Sequence, residues 1–316
     1  MKDAFQAGLS ELLGREVEIT EPVLLAGGAS KEAWAVDADG ERLLVRRAAA
    51  TLIHHRTLTL AQEYAVIEAA FEAGVKVPRP YGYIADLAGR EAFVMERLEG
   101  ETIGRRIVQM DELAAARGRL PVQLAEELAK IHAIPAERLP FLPDARLERR
   151  GEDLDEVGEP HPAIELGLWW LRKNRPPERP RVVNHGDYRI GNVVVDREGL
   201  VGVLDWEFAR LDDPVRDLAF GMVRAWRFGV AEKRLGGIGD AGPFVERYNE
   251  LTGLDVRPEE LDYWELAGNV AWAIGTLTQA QRHLSGLDRS VELATLGRLS
   301  AEVEYEICHL LEQANA

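Results

Sequence analysis

The stretch Val182–Pro214, VVNHGDYRIGNVVVDREGLVGVLDWEFARLDDP, sets His185, Asp187, Asn192, Asp205 and Glu207 among runs of valine, glycine and leucine. Taken singly, each Asp or Asn reads as a turn former or strand-end cap, a position these residues favour for local hydrogen-bonding reasons. Taken together they suit a metal and phosphate site. Asp187 and Asn192 lie five positions apart with Gly191 permitting a tight bend, so a carboxylate and an amide oxygen converge on one side of a loop. Asp205 comes 18 positions after Asp187, and the strand pair NVVVDREGLVGVLD has the length to return it close to Asn192. Such oxygens suit Mg²⁺, a hard cation that takes few protein ligands and fills the rest with phosphate and water. Asp187 is then placed to orient a hydroxyl and accept its proton.

Upstream, EPVLLAGGASKEAWAVDADGERLLVRRAA predicts three short strands, with a tight hairpin at the Asp-Gly pair. LTLAQEYAVIEAAFEAG carries Leu60, Tyr64, Ile67 and Phe71 at helical spacing and ends at Gly74. VKVPRPYGYIAD and REAFVMERLEG read as two more strands. After LEGETI the character changes. PVQLAEELAKIHAI predicts a helix opening on its proline, AIELGLWWLRKN a helix stopped by RPPERP, and the chain beyond Pro214 is mainly helical. The expectation is an α+β bilobal chain: a small antiparallel-sheet lobe over residues 1–98 and a mainly helical lobe over 99–316, joined near Glu96–Gly100.

Composition bounds the function. The 316 residues are 46% hydrophobic and 29% charged, the mixture of a globular protein. No run approaches the roughly 18 apolar residues of a membrane span, and the acidic amphipathic N-terminus argues against a signal or transit peptide. A formal net charge of −16 leaves no basic stripe for nucleic acid. The single cysteine, Cys308, excludes an internal disulfide and points to the reducing cytoplasm. Oligomeric state is not legible.

The phrases HGDYRIGN (185–192), GVLDWE (202–207) and DPVRDLA (213–219) resemble the aminoglycoside phosphotransferase family, small-molecule kinases of the protein-kinase-like fold. The resemblance is nearest to the branch of the kinase-like domain of acyl-CoA dehydrogenase 10 type proteins. It implies ATP and Mg²⁺ as cofactors. Asp187 is then the catalytic base, His185 a buttress of its loop, and Asn192 and Asp205 the metal ligands. Glu207 becomes a further metal or substrate contact or a polar rim, and Asp217 a residue that fixes the catalytic loop.

The resemblance also implies a nucleotide clamp in the first lobe. Gly27, Gly28 and Ser30 would cover the phosphates, although the full G-x-G-x-x-G pattern is absent. The strand LLVRR should supply a cation for the α- and β-phosphates. Alternation lets only one of Arg46 and Arg47 face inward, and Arg46 aligns with the family phrase. Glu63, on the flank of the buried helix face, is expected to pair with Arg46, and backbone groups near Glu96 and Leu98 to read adenine. Only eight positions separate Asp205 from Asp213 and no A-P-E phrase follows, too little to hold a peptide acceptor. The acceptor expected is therefore a small-molecule hydroxyl. A catalytically silent nucleotide-binding module of the same fold is the alternative. A metal-dependent hydrolase fits less well, because the histidines do not cluster at ligand spacing.

Overall fold

The Asp-Gly pair turns the chain as its composition predicts. In the computed structural model, which describes residues 1–25, 31–48, 57–144, 148–287 and 289–314, helix α1 (Lys2–Leu13) precedes strands β1 (Val23–Leu24), β2 (Lys31–Ala38) and β3 (Glu41–Ala48). Asp39 and Gly40 join β2 to β3 with φ of 49° and 87°, the paired left-handed conformation whose twist matches that of a hairpin. Helix α2 (Leu60–Glu72) starts on a reciprocal capping box between Thr59 and Gln62. β4 (Pro80–Ile84) and β5 (Ala92–Glu96) complete an antiparallel sheet of order β1-β2-β3-β5-β4.

Strand alternation gives this sheet two chemically distinct faces. Leu43, Val45 and Val94 pack with Phe5 and Leu9 of α1, Val17, Ile19 and Leu87 in one buried cluster. On the other face Phe93 and Met95 meet Val66, Ile67 and Ala70 of α2, in a cluster that continues into the helical lobe. Each such side chain removed from water stabilises the fold by roughly 1.5–3 kcal/mol before chain entropy is counted. Register places Ala33 opposite Arg46 and Lys31 opposite Ala48, so Lys31 and Arg46 emerge on the α2 face.

The second lobe contains α3 (Gly104–Gln109), α4 (Ala114–His132), α5 (Glu148–Val157) and α6 (Pro162–Lys173), then β6 (Val182–Asn184), β7 (Val193–Asp196), β8 (Gly199–Val203) and β9 (Arg210–Asp212), then α7 (Pro214–Phe220), α8 (Gly242–Thr252), α9 (Pro258–Leu284) and α10 (Val291–Ala314). One sequence expectation fails here. Pro121 does not open its helix but lies inside α4. An interior proline costs about 3 kcal/mol; burial of Ala116, Leu120, Leu124 and Leu128 along the same helix offsets it. Four helices, α5, α6, α9 and α10, enclose a separate apolar cluster around Leu168, Val270, Ile274 and Ile307.

Among the described residues three backbone fastenings hold the β7–β8 hairpin and its exit to the chain before it, one of them from the Leu58 N–H to the Glu207 carbonyl at 2.9 Å. Glu101 and Val195 exchange both main-chain hydrogen bonds, at 2.8 and 3.0 Å. Gly100 precedes them with φ of 142°, and a Cβ there would stand 2.8 Å from the Val195 carbonyl oxygen. At the second point the Val203 N–H donates to the Lys76 carbonyl at 2.8 Å, and the Lys76 N–H donates to the Glu127 carboxylate of α4 at 2.7 Å.

Candidate active site

The loop over residues 185–192 is held from below by one buried carboxylate. Asp217, on α7, accepts the His185 N–H at 2.6 Å and the Gly186 N–H at 2.9 Å. Burial works to raise the Asp217 pKa, but the His132 hydrogen bond and charge and the Gly186 N–H outweigh it and hold the carboxyl below its usual range. Gly186 adopts φ of 84°, and a Cβ there would fall on the Phe208 carbonyl. The site therefore needs glycine at this position on two counts.

His185 is fully buried, its ring against Trp206 at 4.6 Å and Tyr188 at 5.7 Å between centroids. Its Nδ1 accepts the Asp187 N–H at 3.2 Å, which leaves Nε2–H to donate to the Leu204 carbonyl at 2.9 Å. The imidazole thus bridges the 185–192 loop and the segment that delivers Asp205. Burial holds its pKa below the usual value, against the charges of Asp217 and Asp187. The unfolded chain therefore binds this proton more readily. Stability from the neutral imidazole is fully present above about pH 6.5 and is lost as pH falls from there, at up to ~1.4 kcal/mol per unit. His185→Gln should flatten that part of the curve of denaturation midpoint against pH between 6.5 and 5. An unchanged slope in the variant would show that His185 is not the group responsible.

Asp187 faces two donors. Asn192 Nδ2 reaches its carboxylate at 2.5 Å and its backbone carbonyl at 2.9 Å, and Arg189 Nε donates to the other carboxylate oxygen at 2.9 Å. The β7–β8 hairpin pairs Val193 with Val203, and the Leu204 N–H donates to the Asn192 carbonyl at 2.8 Å. Asp205 thus emerges beside Asn192, as the hairpin length predicts. Its backbone is under tension: φ is 60° at a non-glycine residue.

Cations from the sheet lobe complete the cleft. Arg46 Nη2 lies 3.3 Å from Asp205 Oδ1, and its Nε is buried without a hydrogen-bond partner. Burial opposes the Arg46 charge, yet Glu63, Asp205 and Glu207 outweigh it and raise its pKa. Arg47 points to the opposite face, where it donates to the Leu87 and Ala88 carbonyls and pairs with Glu32.

One sequence expectation is corrected at this point. The direct partner of Glu63 is Lys31, not Arg46, and Lys31 also reaches Glu207 at 3.0 Å. Lys31 opens β2 on the same face as Arg46, and its ammonium meets the Glu63 carboxylate of α2. Glu207 is accordingly a tether to that ammonium, and its backbone carbonyl accepts the Leu58 N–H. Burial raises the Glu63 pKa, against the charges of Lys31 and Arg46. Lys31→Met should destabilise the fold by about 3–5 kcal/mol at pH 7, because two facing carboxylates lose their buried counter-charge. Urea denaturation should show part of that loss recovered at pH 5, where Glu63 can neutralise, or by a second change, Glu63→Gln. A loss below about 1 kcal/mol would mean that Lys31 is dispensable to this cluster.

Sequence reasoning also missed Arg189, whose guanidinium lies 4.4 Å from the Trp226 ring centroid, and His132, which contacts Asp217 at 3.4 Å and the Tyr248 hydroxyl at 2.6 Å. A basic residue two positions after the candidate base was the available signal for the first. Glu96 ends β5 with its N–H on the Arg79 carbonyl, and Leu98 packs over Gly202. Gly27, Gly28 and Ser30 lie outside the described residues.

A family model described as Phosphotransferase enzyme family (APH) matches residues 22–252. The chain belongs to that family. Similar curated proteins are acyl-CoA dehydrogenase family member 11 of Pongo abelii, 26% identical over 62% of this chain and 27% of its own length, and member 10 of Mus musculus, 23% identical over 83% and 26%. This agrees with the branch resemblance; the chain spans about a quarter of the length of these relatives. A solved structure of a candidate aminoglycoside phosphotransferase from Ralstonia eutropha jmp134 superposes with a TM-score of 0.76 at 18% identity, over 99% of this chain and 98% of that one. The fold is thus the bilobal kinase-like one expected from the sequence. Solved neighbours include a GDP complex of an aminoglycoside 2'-phosphotransferase, TM-score 0.66 at 15% identity over 96% and 99% of the two chains. At these identities the likeness is one of fold.

Proposed function

We propose that this family member transfers the γ-phosphoryl group of ATP, with Mg²⁺, to a hydroxyl of a small molecule. The observation that carries the reading is the convergence of Asp187, Asn192 and Asp205 beside Arg46. The donor set fits both cofactors. Among the described residues no group of three His, Cys, Asp or Glu side chains is arranged to hold a metal ion. That suits Mg²⁺, which binds through one or two protein oxygens plus phosphate. Asn192 commits its Nδ2 to Asp187, which leaves the side-chain Oδ1 for a cation; Asp205 offers a half-exposed carboxylate. These two would hold the ion, whose chemistry is to neutralise charge on the transferring group. The orphaned Arg46 Nε suits a phosphate oxygen. Asp187 would orient the acceptor hydroxyl and take its proton. Backbone groups at Glu96 and Leu98 would read the base, with the lobe boundary between residues 98 and 99.

The segment from Asp205 to Asp213 is occupied by β9 and the cap of α7, which supports a small acceptor over a peptide. A metabolic hydroxy compound is preferred over an antibiotic, on the resemblance to the acyl-CoA dehydrogenase family proteins. The reducing cytoplasm is retained as its compartment on the single cysteine. Among the described residues no helix is long and apolar enough to cross a membrane. The test is a Mg²⁺–ATP acceptor screen across sugars, amino alcohols, hydroxy-acyl thioesters and aminoglycosides, read by mass as one added phosphoryl group. ATP binding without transfer to any class would favour the silent module.

A further inference from the structure

Three buried side chains from separate helices form a line that ends beneath the 185–192 loop. His132 is the last residue of α4, Asp217 lies on α7 and Tyr248 on α8. In sequence His132 is 85 positions from Asp217 and 116 from Tyr248. All three are closed off from water. The Tyr248 hydroxyl stands 2.6 Å from His132 Nδ1, and His132 Nε2 stands 3.4 Å from Asp217 Oδ2. That same oxygen accepts the His185 N–H at 2.6 Å, and Oδ1 accepts the Gly186 N–H at 2.9 Å. Asp187 follows directly.

Counting donors and acceptors decides where the ring hydrogen of His132 sits. Among the described residues the Tyr248 hydroxyl has His132 Nδ1 as its hydrogen-bond partner and no other, and a buried hydroxyl is rarely left unpaired. Burial, with the charge of Asp217, raises the Tyr248 pKa, so the phenol keeps its hydrogen. Tyr248 therefore donates and Nδ1 accepts, which puts the ring hydrogen on Nε2, facing the carboxylate. The opposite tautomer would turn a lone pair onto Asp217. A second ring proton would add charge toward Asp217 while leaving a buried phenolic O–H without an acceptor. We propose that Tyr248 and His132 are positioning residues for Asp187: the hydroxyl fixes the Nε2–H tautomer, and that N–H anchors the Asp217 carboxylate on the two amides that open the loop. The effect on turnover rests on the phosphotransfer reading; the anchoring does not.

The test compares Tyr248→Phe, His132→Gln and His132→Leu in the full chain. Glutamine offers an amide oxygen to Tyr248 and an amide N–H to Asp217, as the assigned tautomer does; leucine offers neither. Hydrogen exchange of the His185 and Gly186 amides, read by NMR, needs no substrate. In Tyr248→Phe and His132→Leu it should quicken about fivefold or more, the scale of one buried hydrogen bond. That change is counted beyond any shared with the amides of α9, which report the stability of the fold as a whole. His132→Gln should stay near the parent rate. Loop exchange unmoved in both Tyr248→Phe and His132→Leu overturns the anchoring, and glutamine behaving like leucine overturns the donor and acceptor roles assigned to the imidazole. In the parent, at about pH 8 and so above the ordinary imidazole range, the ring-nitrogen signals of His132 should place the hydrogen on Nε2 alone. A hydrogen on Nδ1 overturns the tautomer. Where an acceptor is turned over, kcat should fall severalfold in Tyr248→Phe and His132→Leu with the KM for ATP unchanged, and His132→Gln should keep most of it. A kcat that holds while loop exchange quickens overturns the positioning of Asp187. Exchange and tautomer are read whether or not any acceptor is found, so failure of this anchoring and failure of the phosphotransfer reading are distinguishable.

Discussion

Asp187→Asn should lower kcat for phosphoryl transfer by about three orders of magnitude, the upper part of the range for general-base catalysis, while the affinity for a non-hydrolysable ATP analogue changes little. The reason lies in how the carboxylate is presented. Both its oxygens accept hydrogen bonds, one from Arg189 and one from Asn192, and its own N–H is fixed on His185. An amide keeps the shape but cannot take a proton from a hydroxyl, and its NH₂ must oppose one of those two donors. A thousandfold loss corresponds to about 4 kcal/mol of barrier, most of it specific to the reacting hydroxyl. Kinetics at saturating nucleotide, with calorimetry of the analogue, separate the two quantities. Turnover within tenfold of the parent would remove Asp187 from the role of base.

The second large effect is at Asp205, where function and backbone pull in opposite directions. Loss of the carboxylate should abolish the dependence of nucleotide affinity on Mg²⁺ and reduce transfer at least as far as the change at Asp187 does, since the residue proposed to hold the cation beside the phosphates is removed. Asp205→Gly and Asp205→Ala should be equally inactive yet differ in stability. The residue holds φ of 60°, a conformation costing non-glycine residues of order 1 kcal/mol or more. The Arg46 pair lost in both variants is half-exposed on the Asp205 side and contributes less than about 1 kcal/mol. The glycine variant should therefore match the parent or exceed it slightly in urea, and the alanine variant should fall about 1 kcal/mol below the glycine one. Alanine equal to glycine would show that this backbone is not under tension.

Local chemistry was readable from the chain, and long-range pairing was not. The Asp39–Gly40 hairpin, the capped helix after Thr59 and the return of Asp205 beside Asn192 all follow from residues within about twenty positions of one another. Arg46 and Arg47 separate by strand alternation alone, but which of them faces the cleft is decided by what lies on each side: Asp205 for one, the Leu87 and Ala88 carbonyls for the other. Lys31 escaped notice because its partners, Glu63 and Glu207, come from a helix and a hairpin exit far along the chain. The same distance hid the His132 contact with Asp217 and the Trp226 shelf beneath Arg189. Pro121 was misjudged because propensity alone sees the cost of an interior proline, while burial on both sides of it is a property of the assembled core.

The β7–β8 hairpin and its exit, which carries Asp205, are held at three backbone points: Glu101 to Val195, Lys76 to Val203 and Leu58 to Glu207. Two of these partners, Lys76 and Leu58, belong to the sheet lobe, and the third lies just past the connection that leaves it. A single anchor would let the hairpin swivel against the sheet; three leave it no free play, because a change of angle must stretch at least one bond. The separation of Arg46 from Asp205 is thus fixed as the backbone assembles, and the two faces of the cleft keep their spacing without help from the side chains.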